Sequence, residues 1–173
     1  ILEQTLDNLL SSALSEVIVV LGHTAKEIIQ KIGSKPVKIA INPNYHQGMS
    51  TSIAAGLKLI DDGAEAVMLA LADQPLTDSR IINKLIKQFN THNKGIVIPA
   101  YKGRRGHPII FASKYKTDLS GLKGDIGGRE IIEKYRDDIL EVAVDSPGIH
   151  ADIDTPSDYH SHTNWRNSPG GAA

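Results

Sequence analysis

The chain has 173 residues, 40% of them apolar, with 20 acidic side chains against 19 basic ones. That length suits one domain with a sizeable core, and the balanced charge gives no broad basic face for nucleic acid or an anionic membrane. The absence of Cys excludes disulfides, thiol catalysis and Cys-ligated zinc or iron–sulfur centres. No apolar run approaches the ~20 residues of a membrane span, and the start ILEQTLDNLL has no basic leader. The expectation is a soluble cytoplasmic protein without nucleic-acid or membrane partners.

Residues 2–14 carry a helical stripe through Leu2, Leu6, Leu9, Leu10 and Ala13. VIVVL (17–21) is a continuous β-branched run, the pattern of a strand covered on both faces. After Gly22 and His23, Thr24 and Glu27 match a capping box that opens a helix through Ile32. VKIAI (37–41) reads as a second strand, and the loop NPNYHQGMS leads into a helix over about 50–59. Residues 66–72 are a third strand, followed by the DQPLT loop and a helix over about 78–89, with Thr77 as its cap.

GIVIP (95–99) and GHPIIF (106–111) read as strands joined by the short YKGRRG loop. Short helices over 113–119 and 128–135 follow, then a strand at ILEVAV (139–144). DIDTPSDY starts a last short helix, and 160–173 lack apolar periodicity and read as a loosely ordered tail. This alternation predicts an α/β fold, a Rossmann-like mainly parallel sheet with helices on both faces. The connection between residues 99 and 108 is too short for a crossover helix, so an antiparallel excursion is expected in the second half.

In such folds ligands sit beyond the carboxyl ends of the strands. Asp73 ends the third strand with no cationic neighbour in sequence, and Pro75 pins the loop after it. The bland reading is a helix cap or Asx turn; the functional one is a carboxylate aimed at a ligand. Asp152 and Asp154 alternate around Ile153, so in an extended backbone both point the same way. One of them could serve only as a cap, because Thr155, Pro156 and Asp158 make a good helix start. Alternatively Asp73 and Asp154 converge at the strand tips and hold Mg²⁺ (or Mn²⁺) together with substrate phosphates.

The loop around Gly48, Met49, Ser50 and Ser52 enters a helix whose first turn offers N–H groups to an anion; an ordinary loop with a Ser cap is the competing reading. Lys102, Arg104 and Arg105 are either a solvated hairpin tip or an anion-binding loop. GDIGGR (124–129) matches no phosphate-loop fingerprint. His160 and His162 read as tail.

Six segments in order carry a resemblance: VVLGH (19–23), NPNYHQGMSTSI (42–53), LADQP (71–75), GRRGHPIIF (103–111), GDIGGR (124–129) and DIDTPSD (152–158). Together they resemble the molybdenum cofactor cytidylyltransferase group of MobA-like nucleotidyltransferases. The resemblance implies a fold like that of nucleotide-diphospho-sugar transferases, a divalent Mg²⁺ or Mn²⁺ ion, and transfer of CMP from CTP to the molybdopterin-bound molybdenum cofactor with release of pyrophosphate. It makes Asp73 the main metal ligand and Asp154 the second. Asn42, Gly48, Met49, Ser50, Ser52 and Asp73 fall on the nucleotide side; Arg105, His107, Pro108, Asp125 and Arg129 fall on the pterin side. CTP and the molybdenum cofactor are the small-molecule ligands implied, with a molybdoenzyme or a chaperone as the kind of protein partner.

The family opens with a strand and a phosphate-cradling loop, LAAGxSxRMGxxK, that the 173 residues do not contain. Residues 1–159 are therefore expected to be one such domain lacking its first strand and loop, with a gap in the middle of the sheet. Two alternatives stay open: a related enzyme using GTP or UTP on another phosphorylated acceptor, and a non-catalytic remnant that keeps only a binding surface.

Overall fold

A computed structural model describes residues 1–125, 127–153 and 158. The first helix, α1 (Leu2–Leu10), precedes strand β1 (Ile18–Leu21), helix α2 (Ala25–Ile32) and strand β2 (Lys38–Ile41). Helix α3 (Met49–Leu57), strand β3 (Ala66–Leu69) and helix α4 (Ser79–Thr91) follow. Then come β4 (Ile96–Tyr101), the two-residue β5 (Arg104–Arg105), β6 (Ile109–Ala112), helices α5 (Lys116–Ser120) and α6 (Arg129–Lys134), and β7 (Ile139–Ala143). The helix start expected at 154–157 and the tail 160–173 lie outside the described residues.

Burial explains why β4 reads as an unbroken apolar run. It is flanked by β6 on one side and β7 on the other, and both of its faces are covered. Ile96 and Ile98 join Ile109 and Phe111 in a core closed by Ile53 and Leu57 of α3, Leu119 of α5 and Ile131 of α6. Val97 and Ile110 point the other way, onto Ile81 and Leu85 of α4. Helices on both faces are thus as expected.

A mainly parallel sheet is not what forms. β1–β2 and β4–β7 are parallel, but β6 pairs antiparallel with both β3 and β4, and β5 folds back antiparallel on β4. The cause is the short YKGRRG connection. Lys102 and Gly103 both take positive φ, 49° and 77°, so the chain reverses and cannot cross over. β6 then wedges between β3 and β4 and makes most of the five-stranded sheet antiparallel.

Among the described residues the strands form two sheets, β1–β2 and the five-stranded one. Two helices join them. Leu6 of α1 packs with Val19, Leu21 and Ile32, while Thr5 Oγ1 and Asn8 Nδ2 donate to the Ala72 and Pro75 carbonyls at 3.0 and 2.9 Å. From α3, Gly56 lies against Val20 of β1, and Ile53 and Leu57 enter the core of the larger sheet.

Two expected caps are corrected. Thr24 adopts a left-handed conformation (φ 50°) with no side-chain cap bond, so its hydroxyl is not in the capping-box geometry. Asp78, not Thr77, caps α4: its carboxylate accepts from the Ile81 N–H at 3.1 Å. Thr77 is instead buried and donates to the Gly148 carbonyl.

Candidate active site

The loop after β3 is held from three directions. The α1 side chains Thr5 and Asn8 fix its carbonyls at 72 and 75. Thr77 ties it to Gly148. The Ile153 N–H donates to the Asp73 carbonyl at 2.9 Å. Asp73 is half-buried at the tip of the loop. Beside it, Gln74 is 5% exposed, and its side-chain amide donates to Asp152 Oδ1 at 2.7 Å. Two acidic segments distant along the chain therefore meet here. Asp154, two residues past Asp152, lies outside the described residues.

His107 belongs to the same group. Its N–H donates to the Ile149 carbonyl, and the peptide between it and buried Pro108 is cis. Burial pushes the imidazole below its usual pKa; the carboxylates of Asp152 and Asp73 oppose that shift, and His150 adds to it.

A second group forms around the start of α3. Asn42 is buried and donates from Nδ2 to Thr51 Oγ1 and Ser52 Oγ at 2.9 and 3.0 Å. Neither Ser nor Thr caps the helix; its N-terminal cap is Gly48. The first-turn N–H groups are met instead by the glycine-rich loop. Met49 N–H donates to an Asp125 carboxylate oxygen at 3.0 Å and Ser50 N–H to the Gly124 carbonyl at 3.1 Å. Asp125 thus supplies the negative charge that this helix end favours. Gly48 permits the approach: φ is 103°, and a methyl group there would lie 2.6 Å from the Gly124 carbonyl. Downstream, Gly128 sits against Phe111 and Leu69, so the same loop reaches the end of β3.

The two arginines expected to bind substrate are ion-paired at the surface. Arg105 forms a bond to Glu141 at 2.6 Å, and Arg129 meets Glu133 one helical turn on at 3.3 Å. Sequence reasoning carried the third strand to Ala72, but β3 ends at Leu69 and Asp73 lies in the loop beyond it. It missed Gln74, whose only signal was a polar side chain between Asp73 and Pro75.

The chain matches the family described as the MobA-like NTP transferase domain over residues 1–142. It is 26% identical to the molybdenum cofactor cytidylyltransferase of Escherichia coli, covering 92% of this chain and 79% of that protein. It is also 29% identical to the purine catabolism protein PucB of Bacillus subtilis, over 90% of this chain and 78% of that one. Among solved structures, a Mycobacterium tuberculosis protein crystallised with manganese superposes with a TM-score of 0.79 at 24% identity, over 92% of this chain and 83% of that one. At that identity the structural likeness speaks to fold.

Gly48→Ala should separate the two loops at α3 and cost about 1–3 kcal/mol, because a non-glycine residue there is strained and collides with Gly124; urea unfolding measures it, and an unchanged midpoint would refute the close approach. His107 gives a pH prediction. The unfolded chain protonates it near ~6.5, whereas the buried ring resists protonation. Between those values the unfolded state binds more protons, so stability should fall as pH drops through that window. Urea midpoints between pH 7.5 and 5.5 should fall less steeply for His107→Gln than for wild type; equal slopes would rule His107 out.

Proposed function

The chain belongs to the MobA-like NTP transferase domain family and is an enzyme of the nucleotidyltransferase type, and on that premise we propose that it transfers CMP from CTP to a molybdopterin-type molybdenum cofactor. A terminal phosphate oxygen of the acceptor attacks the α-phosphorus, the bond to the β-phosphate breaks, and pyrophosphate leaves. The attacking oxygen is already ionised, so no general base is required, and catalysis reduces to positioning and charge neutralisation.

The observation that carries this reading is the meeting of the Asp73 and Asp152 segments at one loop. The donor set fits a hard divalent cation: carboxylate oxygens, with the neutral Gln74 amide and an imidazole whose protonation burial disfavours beside them. Among the described residues no three His, Asp or Glu side chains make a closed metal cage. Asp73 and Asp154 would hold Mg²⁺ or Mn²⁺, which when bound neutralises phosphate charge; the manganese complex of the mycobacterial relative supports the choice. Asn42 orders the hydroxyls of Thr51 and Ser52 on the nucleotide side. Asp125, locked to the start of α3, sets the spacing between that side and the acceptor loop. His107 and Pro108 flank the acceptor.

Similarity does not single out the cytidylyltransferase. The purine catabolism protein at 29% and a nicotine blue oxidoreductase of Paenarthrobacter nicotinovorans at 27% are as similar as the cytidylyltransferase at 26%. The same phosphoryl chemistry on another phosphorylated acceptor, with GTP or UTP, is the alternative.

Asp73→Ala should lower CMP transfer roughly a thousandfold, a loss of ~4 kcal/mol in transition-state stabilisation, with the far-ultraviolet circular dichroism unchanged. Pyrophosphate release, measured with CTP, GTP and UTP in turn, separates the two readings. Wild-type turnover in the folded variant would show that Asp73 is not the metal-binding carboxylate.

A further inference from the structure

We propose that Gln74 is a positioning residue that holds the carboxylate of Asp152 at the loop of Asp73, where its charge supports the cation that this loop would bind. This rests on the reading that the loop after β3 holds a divalent ion.

Gln74 is 5% exposed, and a buried amide without a partner costs free energy. Its Nε2 donates to Asp152 Oδ1 at 2.7 Å, across 78 residues of chain. The loop that carries Gln74 cannot drift, because Thr5, Asn8 and Thr77 tie it to α1 and to Gly148. The backbone that carries Asp152 is tied in turn: the Ile153 N–H donates to the Asp73 carbonyl, and the Asp152 N–H to the His150 carbonyl. Both ends of the hydrogen bond are thus on fixed supports.

Two features separate orientation from simple structural filling. Asp152 is an exposed residue, so water could solvate its carboxylate and folding alone does not require a buried donor. The donor is also neutral. A Lys or Arg at position 74 would cancel the charge of the carboxylate, whereas an amide orients it and leaves the charge for a cation. The bond engages Oδ1 only, and a carboxylate has about four acceptor positions in all.

The test is Mn²⁺ binding to the full chain, followed by electron paramagnetic resonance, with thermal midpoints recorded in parallel. Gln74→Leu should weaken Mn²⁺ binding by roughly 10–100-fold. Gln74→Met, an unbranched side chain of similar length, repeats the measurement should Leu disturb folding. Asp152→Asn should weaken binding by a similar factor, and Gln74→Leu added to it should bring no further loss. Wild-type affinity in the folded Gln74 variants, with only the midpoint lowered, would overturn the proposal. So would a full Gln74→Leu effect persisting on the Asp152→Asn background. Asp73→Ala distinguishes the two ideas. If it leaves binding intact while the 74–152 coupling holds, the Asp73 reading fails and the positioning role stands. If it abolishes binding and position 74 is indifferent, the reverse follows.

Discussion

One backbone contact organises the functional end of this molecule: the Ile153 N–H on the Asp73 carbonyl at 2.9 Å. A hydrogen bond of this kind is worth only about 1 kcal/mol net. It matters because both partners sit on loops that other parts of the fold already hold. β3 delivers Asp73, and α1 restrains the loop after it. β7 and the turn at Pro147–His150 deliver residues 152 and 153. The acidic segments meet because the sheet brings their elements together, and Gln74 converts that meeting into a side-chain contact.

The glycine-rich loop at 124–128 does comparable work at the start of α3. An unclaimed helix N-terminus has N–H groups seeking acceptors. Here Gly124 and Asp125 provide them, and Gly48 and Gly128 have no side chains to obstruct the approach to α3 and to Phe111. Residues read from sequence as belonging to two different substrate sides are therefore mechanically joined.

Much of the fold was legible because its signals are local. The unbroken runs at β1 and β4 gave strands, and the apolar stripes gave α1 and α4. The short link after β4 revealed a chain reversal. It could not reveal that β6 would insert between β3 and β4, because strand order is a tertiary property. The cap of α4 was off by one residue, since Thr77 and Asp78 are both good caps and a distant carbonyl, that of Gly148, claimed Thr77. Asp73 and Asp152 were visible as carboxylates with no Lys or Arg adjacent in sequence. Gln74 was not, because a neutral amide acquires meaning only from its partner. The Glu141 opposite Arg105 was equally invisible, because it comes from a distant strand, β7, whereas the Glu133 that pairs with Arg129 stands one helical turn on and was readable.

On the proposed function, the loop after β3 and the segment at 152–153 face one cation beneath a nucleotide. The most direct measurement is paramagnetic broadening of backbone amide resonances on adding substoichiometric Mn²⁺ with CTP to the isotope-labelled chain. The signals of Asp73, Gln74, Asp152, Ile153 and His107 should vanish first. Selective broadening elsewhere, with those five signals intact, would contradict it.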